Sequence, residues 1–361
     1  MIFLTPGPTK NHIELSNWLE QALEDRIPSR HHRSDWFKEL FANVREKLLR
    51  LAGMPPTYQM FLYGCASEIW ERALESVVEN KVFFLATGEF GHRWLFCARN
   101  MNFSVLSIEG DSNFVSSVAD AITEPVDTIC LVHGETAIGM IIPENEIRKI
   151  KQKFPDAVLV LDCVSTFPIS PFDYGLADVV IFSVQKCFCL PSGLGVALVS
   201  HKTRERVEKV FANKARGKSG FASFKYEFTF ADQNMTPATP NVLGLWLLDQ
   251  VLSKYLEAGL DDLRHKTAVK ANFATDLAKK LGFRSLIKDP AWRSDTVLTF
   301  ATNEFCVASL KRELEKYNIF IGTGFGSLSD TVIRLGNFPA HTNDDYSAFY
   351  EACLHILEQS G

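Results

Sequence analysis

Six short apolar runs, separated by amphipathic stretches, are the feature that most constrains the fold of this chain. Each run is rich in β-branched and aromatic residues, which favour strands. The predicted strands lie at Val82–Ala86, Ser104–Ile108, Thr128–Val132, Val158–Leu161, Val179–Ser183 and Val196–Val199. Continuous apolar strands that alternate with helices are typical of a mostly parallel sheet covered on both faces. The sequence therefore predicts an α/β fold.

Further changes in the pattern predict the domain organisation. Residues 1–15 begin with an extended stretch that prolines interrupt, and we expect an N-terminal arm there. After about Asn241, two long helical stretches that meet at Gly259 are followed by short strands and more helices. We therefore expect a large domain over residues 16–250 and a smaller C-terminal α+β domain over residues 251–361.

The composition excludes several classes of protein. The chain has 361 residues, of which 46% are hydrophobic and 22% charged, as expected for a protein with a large core. A formal net charge of −5 argues against nucleic-acid binding, which usually needs a basic surface. The start of the chain does not resemble a signal peptide or a membrane anchor, so we expect a cytoplasmic protein without a membrane partner. The 8 scattered cysteines include no C-x-x-C pair, which predicts reduced thiols and no metal site.

Two segments in the first half of the large domain are candidates for binding a flat, anionic ligand. The small residues of the turn Gly64–Ser67 lead into a helix, where backbone N–H groups and the helix dipole favour an anion. The alternative is that Ser67 only caps the helix. Phe90, which follows the strand Val82–Ala86, could stack on a flat ring, or it could belong to the core.

Polar residues also follow three further strands, at the edge where open α/β sheets bind ligands. His133–Thr136 places polar side chains at the end of one strand, either in a site or in a turn with a satisfied histidine. Asp162 ends an apolar strand, where a carboxylate is costly unless a cation or a donor pairs with it. Lys186 follows another apolar strand, and a desolvated lysine has a lowered pKa suited to covalent chemistry with carbonyl groups. An exposed loop lysine is the alternative.

Together these residues indicate a more specific ligand than any of them alone. A phosphate turn, a stacking face, a carboxylate and a reactive lysine are what pyridoxal phosphate requires. The carboxylate keeps the pyridine nitrogen protonated, so that the ring can withdraw electrons from the substrate. We therefore predict pyridoxal phosphate as the cofactor.

At these residues the sequence resembles the class V, fold-type I family of pyridoxal-phosphate aminotransferases over nearly its whole length. The resemblance is carried by the motifs Thr5–Thr9, His32–Ser34, Gly134–Thr136, Asp162–Ser165, Ser183–Lys186, Thr236–Pro237 and Ile333–Gly336. It implies the family's fold, a large domain with a mostly parallel sheet plus a smaller C-terminal domain. It also implies a homodimer with shared active sites.

The resemblance further implies a role for each matching position. Lys186 would bind the cofactor covalently and move the substrate proton, and Asp162 would pair with the pyridine nitrogen. Phe90 and Val164 would pack on opposite faces of the ring, and Thr136 would contact the ring hydroxyl. The cofactor phosphate would be held by Cys65, Ala66, Ser67 and Gln185, and by Thr236 of the second subunit.

The same resemblance suggests substrates. Arg334 would bind the α-carboxylate, a task that suits arginine's planar fork. His32 and Arg33, from the second subunit, would meet a distal phosphate, which favours ping-pong transamination of 3-phosphoserine with 2-oxoglutarate in serine biosynthesis. If both are merely surface residues near a helix start, alanine or serine with glyoxylate or pyruvate fits equally well.

Three rival functions have weaker support in the sequence. Cysteine desulfuration needs a mobile cysteine near the substrate, and the glycine-rich stretch Gly322–Ser327 contains none. That stretch also lacks the strand–turn–helix context of a dinucleotide site. Lys186, Asp162 and Arg334 together argue against a non-catalytic binding protein on the same scaffold.

Overall fold

The structure, a computed structural model, describes residues 1–110, 117–213, 220–302 and 306–360. The helices are α1 (Leu15–Glu24), α2 (Asp35–Leu51), α3 (Ala66–Val77), α4 (Glu89–Asn100), α5 (Val118–Ala121), α6 (Glu144–Lys153), α7 (His201–Ala212), α8 (Phe224–Ala231), α9 (Val242–Ala258), α10 (Leu260–Lys280), α11 (Val307–Lys316) and α12 (Asn343–Ser360). The strands are β1 (Ile2–Leu4), β2 (Gln59–Tyr63), β3 (Lys81–Ala86), β4 (Ser104–Glu109), β5 (Thr128–Val132), β6 (Gly134–Glu135), β7 (Met140–Ile141), β8 (Val158–Asp162), β9 (Val179–Ser183), β10 (Gly195–Val199), β11 (Arg284–Ser285), β12 (Val297–Ala301), β13 (Ile319–Thr323) and β14 (Val332–Gly336). In the part of the chain that the structure describes, no helix could span a bilayer.

A seven-stranded sheet forms the centre of the larger part of the molecule. Its strand order is β2-β10-β9-β8-β5-β3-β4. The pairs from β9 to β4 are parallel, whereas β10 is antiparallel to both β9 and β2. Strands β5, β8 and β9 are buried along their whole length, which explains their uninterrupted apolar sequences. The predicted α/β fold with a mostly parallel sheet is confirmed.

A second sheet has five strands in the order β1-β13-β14-β12-β11. Its pairs are antiparallel except β1 with β13, where Ile2, Phe3 and Leu4 lie parallel to Ile319, Phe320 and Ile321. The first strand of the predicted N-terminal arm therefore belongs to a sheet whose other strands come from the last 80 or so residues.

Two hydrophobic clusters correspond to the two sheets. The larger surrounds the seven-stranded sheet and includes α9, which packs lengthwise against α2. The smaller lies between the five-stranded sheet and the helices α10, α11 and α12. The two long helices α9 and α10 meet at Gly259, whose φ of 83° lies in the region that favours glycine.

The sheet topology brings the ends of four parallel strands to one edge. Strands β3, β5, β8 and β9 run in the same direction, so the residues that follow them lie near one another. The start of α4 follows β3, Gly134–Thr136 follows β5, Asp162 ends β8, and Lys186 comes three residues after β9. This edge is where the candidate site lies.

Asp127, which lies away from that edge, links α3, β3 and α7. Its carboxylate accepts hydrogen bonds from the backbone N–H groups of Glu79, Asn80 and Lys81 at 2.6–2.9 Å, at the turn between α3 and β3. It also pairs with Arg206 of α7, with Nη1 and Oδ1 3.3 Å apart. We expect Asp127→Ala to lower the free energy of unfolding by about 2 kcal/mol or more, because several donors lose their acceptor together.

Urea denaturation of the apo-protein measures this change. Asp276→Ala is the matched control, since Asp276 forms only an exposed pair with Lys279 one turn away on α10. We expect that control to leave the unfolding midpoint unchanged within error. Equal effects of the two substitutions would contradict a structural role for Asp127.

Candidate active site

A cavity of about 220 Å³ opens at the edge where the four strands end. Nine of the ten residues predicted to bind the cofactor line it: Cys65, Ala66, Ser67, Phe90, Thr136, Asp162, Val164, Gln185 and Lys186. The other lining residues are Gly7, Pro8, Trp70, Val132, Gly134 and Ser183. Segments far apart in the sequence thus converge on one enclosed space.

Lys186 is buried in this cavity. Its ammonium Nζ donates a 2.6 Å hydrogen bond to Thr136 Oγ1 and lies 5.3 Å from the centroid of the Phe90 ring. Burial lowers the pKa of Lys186 to about 8, although the negative charge of Asp162 opposes that shift. A Cβ on Gly7 would come within 2.8 Å of Lys186 Cε, so the N-terminal arm closes directly over the lysine.

Asp162 is also buried, with 3% of its surface exposed. Oδ2 accepts a 2.7 Å hydrogen bond from the indole Nε1 of Trp70, and Oδ1 accepts one of 3.0 Å from the Val164 backbone N–H. Burial raises the pKa of the Asp162 carboxyl, and these two donors act in the opposite direction. The carboxylate still has lone pairs for another donor, because its oxygens together accept about four hydrogen bonds.

The two charged groups fit a ligand placed between them. In the described part of the chain, neither Lys186 nor Asp162 has an oppositely charged group within 4.0 Å. Isolated buried charges are costly, so an arrangement of this kind favours a ligand that pairs with both. A group with a protonated ring nitrogen for Asp162 and a carbonyl carbon for Lys186 satisfies the pair, and pyridoxal phosphate has both.

The turn Gly64–Ser67, predicted to bind the cofactor phosphate, has the backbone geometry of a helix start. Cys65 is the N-cap residue of α3, in an extended conformation and without a side-chain hydrogen bond to the helix. Ser67 lies inside the first turn, so the alternative that it caps the helix is wrong. A Cβ on Gly195 would lie 2.5 Å from the Cys65 carbonyl carbon, so the turn packs directly on the start of β10. The N-terminus of α3 therefore faces the cavity at a fixed position.

Glu135 is a second buried carboxylate beside the cavity, and no separate role for it was predicted. Its Oε2 accepts a 2.9 Å hydrogen bond from the Gly91 N–H, and its Oε1 accepts one of 3.0 Å from the Ala137 N–H. A Cβ on Gly88 would collide with the Glu135 side chain. The carboxylate therefore fixes the start of α4, and with it Phe90, against the loop that carries Thr136.

Arg334 approaches the cavity from β14 of the second sheet. Its Nε donates to Thr323 O at 2.6 Å, its Nη1 donates to Thr136 O at 3.2 Å, and Phe325 covers one face of the guanidinium at 4.5 Å. Burial lowers the pKa of Arg334 to about 10, which leaves it charged at neutral pH. Among the described residues Nη2 has no hydrogen-bond partner, so it is available to an anion.

The chain does not bring Thr236, His32 and Arg33 into this cavity. Thr236 Oγ1 donates to Ala238 O at 2.7 Å and borders a different cavity, together with Gly64. Arg33 is exposed, and its Nη2 lies 3.4 Å from Pro237 O. His32 packs edge-on against Phe37, and burial lowers its pKa. The residues that the resemblance assigns to the second subunit thus lie near one another on a single chain.

His133, another polar residue at this edge, belongs to the core. Its Nδ1 lies 2.9 Å from Thr166 Oγ1, and its ring packs 4.4 Å from that of Phe172. Burial lowers the pKa of His133 to about 3, so the ring is neutral. The structure therefore supports the alternative prediction, in which His133 is a hydrogen-bonded histidine in a turn and not part of the site.

A family model described as aminotransferase class-V matches residues 14–337. The chain belongs to the class-V aminotransferase family. The chain is therefore an aminotransferase that depends on pyridoxal phosphate, an enzyme class whose substrates are small amino acids and 2-oxo acids.

Several relatives cover almost the whole chain. A phosphoserine aminotransferase from Rhodococcus opacus is 28% identical over 339 residues, which are 91% of this chain and 88% of that protein. A serine–glyoxylate aminotransferase from Methylorubrum extorquens is 26% identical over 92% of this chain and 85% of its own length. The crystal structure of a phosphoserine aminotransferase from Cytophaga hutchinsonii is 30% identical, covers 98% of both chains and superposes with a TM-score of 0.92.

The lowered pKa of Lys186 predicts how the apo-enzyme captures its cofactor. Only the neutral amine attacks a carbonyl, and a pKa of about 8 makes half of Lys186 neutral near that pH instead of near pH 10.5, where an ordinary lysine is half neutral. We expect the rate of cofactor capture to rise with pH, with its midpoint near pH 8, and to level off at higher pH. Stopped-flow absorbance of apo-enzyme mixed with pyridoxal phosphate measures this rate.

A second variant tests why the rate of cofactor capture has its midpoint near pH 8. Because the negative charge of Asp162 raises the pKa of Lys186, Asp162→Asn should move the midpoint to lower pH. A midpoint that stays near pH 10 in the parent protein would show that burial does not control this lysine. Small-molecule amines mixed with pyridoxal phosphate supply the correction for the ionisation of the cofactor itself.

Proposed function

We propose that this enzyme transfers the amino group between 3-phosphoserine and 2-oxoglutarate, a step of serine biosynthesis. The observation that carries the proposal is the position of the Arg334 guanidinium, bonded to the same residue, Thr136, that holds Lys186. An α-carboxylate bound at Arg334 places the substrate Cα next to the lysine. Relatives that are phosphoserine aminotransferases, with 28% and 30% identity, support the choice of substrate.

In this proposal each side chain has a defined task. Bound pyridoxal phosphate supplies an electron sink that stabilises negative charge at Cα of the substrate. Lys186 Nζ takes the proton from Cα and delivers it to C4′ of the cofactor, which its lowered pKa favours at neutral pH. Asp162 holds the proton on the ring nitrogen through a charge-assisted hydrogen bond. Arg334 orients the substrate through the α-carboxylate.

The remaining cofactor contacts follow from the cavity lining. Phe90 and Val164 would pack on the two faces of the ring, and Thr136 Oγ1 would contact the ring hydroxyl. The N-terminus of α3, at Cys65–Ser67, holds the phosphate together with Gln185. All of these residues line the same cavity, which supports the assignment.

We infer that the enzyme works as a homodimer in the cytoplasm. Thr236, His32 and Arg33 lie outside their own chain's cavity, and Arg33 contacts Pro237, next to Thr236. In the proposed dimer this group completes the cavity of the other subunit. Thr236 reaches the cofactor phosphate there, and His32 and Arg33 bind the distal phosphate of the substrate.

One observation favours a second candidate function. The serine–glyoxylate aminotransferase from Methylorubrum extorquens covers as much of this chain as the phosphoserine enzymes do. Substrates without a second anion, such as serine or alanine with glyoxylate or pyruvate, would leave Arg33 without a catalytic task. Substrate titrations separate the two functions.

Titration of the holoenzyme with single amino acids tests the proposed substrate. We expect L-phosphoserine and L-glutamate to convert the bound cofactor to its amino form, measured as loss of its visible absorbance, and L-alanine and L-serine to have little effect. Conversion by alanine or serine alone would instead establish the glyoxylate-linked function. A spectrum that no amino acid changes would contradict transamination of these substrates.

Mixed dimers test whether Arg33 acts across the subunit boundary. Arg33→Ala should lower kcat/KM for phosphoserine by roughly 100-fold, because the distal phosphate loses a charged partner. A dimer of one Arg33→Ala subunit and one Lys186→Ala subunit should recover about half of the activity, since one of its sites is then intact.

The control for this experiment is Arg30→Ala. Arg30 is a nearby arginine of the same segment that packs on Trp36, with Cζ 4.6 Å from the ring centroid. We expect phosphoserine turnover to survive that change. A mixed dimer as inactive as its parents would contradict a role for Arg33 in the other subunit's site.

A further inference from the structure

Trp70 is a cavity residue that neither the sequence motifs nor the proposed reaction uses. It lies on α3, one turn after the residues at the phosphate turn, and only 5% of its surface is exposed. Its indole Nε1 is 2.7 Å from Asp162 Oδ2, which makes it the shorter of the two hydrogen bonds on that carboxylate. The helix whose N-terminus would hold the cofactor phosphate therefore also donates a hydrogen bond to Asp162, the carboxylate that would pair with the ring nitrogen.

We propose that Trp70 is a positioning residue for the cofactor: its indole N–H fixes the Asp162 carboxylate so that a free lone pair faces the pyridine nitrogen. The inference goes beyond the proposed function, because it concerns only the holding of pyridoxal phosphate. It is therefore independent of which amino acid the enzyme uses.

The surrounding aromatic residues fix the direction of the indole N–H. The Trp70 ring stacks on that of Trp94, with centroids 5.5 Å apart and an angle of 14° between planes. Trp94 in turn packs edge-on against Phe84 of β3 at 5.6 Å. A rigid stack leaves the indole little freedom to rotate, so Asp162 cannot turn without losing its donor.

The chemistry of the indole makes this contact selective for the ionised carboxylate. An indole nitrogen can donate a hydrogen bond but cannot accept one. Burial disfavours the charged form of Asp162, and Trp70 and the Val164 N–H offset part of that cost. An ionised Asp162 is what keeps the cofactor's ring nitrogen protonated, so the effect of Trp70 reaches the cofactor through Asp162.

Trp94 provides a matched control. It has the same indole in the same stack and is completely buried, but its Nε1 has no hydrogen-bond partner among the described residues. Replacing either tryptophan by phenylalanine removes the same atoms from the core. Only Trp70→Phe also removes a donor from Asp162.

The experiment measures cofactor binding by the two variants in the absence of substrate. We expect Trp70→Phe to raise the dissociation constant of pyridoxal phosphate roughly tenfold or more, as for the loss of a hydrogen bond to a charged group, and Trp94→Phe to raise it less than about threefold. Cofactor labelled with ¹⁵N at the ring nitrogen gives a second readout. Its chemical shift should move toward the unprotonated value in Trp70→Phe alone.

A double-mutant cycle with Asp162→Asn identifies the route of the effect. If Trp70 acts through Asp162, Trp70→Phe should weaken cofactor binding much less in the Asp162→Asn background. Equal dissociation constants and equal ¹⁵N shifts for Trp70→Phe and Trp94→Phe would overturn the proposal. Trp70 would then contribute only to the packing of the core. Should Trp70→Phe fail to fold, Trp70→His, which keeps a ring N–H, takes its place, and a ¹⁵N shift unlike the parent's in that variant counts against the proposal.

Discussion

The structure of the site depends on the burial of two opposite charges that do not touch. Lys186 and Asp162 follow neighbouring parallel strands, whose register places Asp162 beside Ile181 of β9. Desolvation acts against both charges, lowering the pKa of the lysine and raising that of the aspartate. The fold keeps them apart and supplies neutral donors and acceptors, Thr136 and Trp70, in place of a direct ion pair. The cofactor supplies the partner that each of these two charged groups lacks within the protein.

Thr136 connects this pair to the substrate side of the site. Its hydroxyl accepts from Lys186, and its carbonyl accepts from Arg334, so a single residue joins the two sheets at the reacting position. Glu135, the residue before it, holds the start of α4 by hydrogen bonds to backbone N–H groups. A displacement of the second sheet would therefore shift both Lys186 and Phe90. This coupling explains why the loop between β5 and α6 contains so many buried polar groups.

The predictable parts of the fold and of the site are those that leave a pattern in a short stretch of sequence. The strands that end at Asp162 and before Lys186 were predictable because buried parallel strands have uninterrupted apolar sequences. The pairing of β1 with β13 was not, since register between residues 2 and 319 leaves no local signal. Helix α8 has apolar residues at alternate positions, as a strand would, but Phe224 and Phe228 pack together on Phe61 of β2. The role of Trp70 was not predictable, because a tryptophan on the buried face of a helix usually belongs to the core.

The charges near the cavity give a physical reason for a second subunit in the proposed reaction. The two buried cations near the cavity, Lys186 and Arg334, are matched in number by the two buried carboxylates of Asp162 and Glu135, so these four groups leave no net positive charge for a further anion. In the proposed reaction the N-terminus of α3 binds the cofactor phosphate, and Arg334 binds the α-carboxylate. Arg93, which also lies near Phe90, is paired with Glu89 at 2.7 Å. A substrate with a further phosphate therefore needs a cation from elsewhere, and Arg33, exposed and remote from its own cavity, has the charge and position to supply it in a dimer.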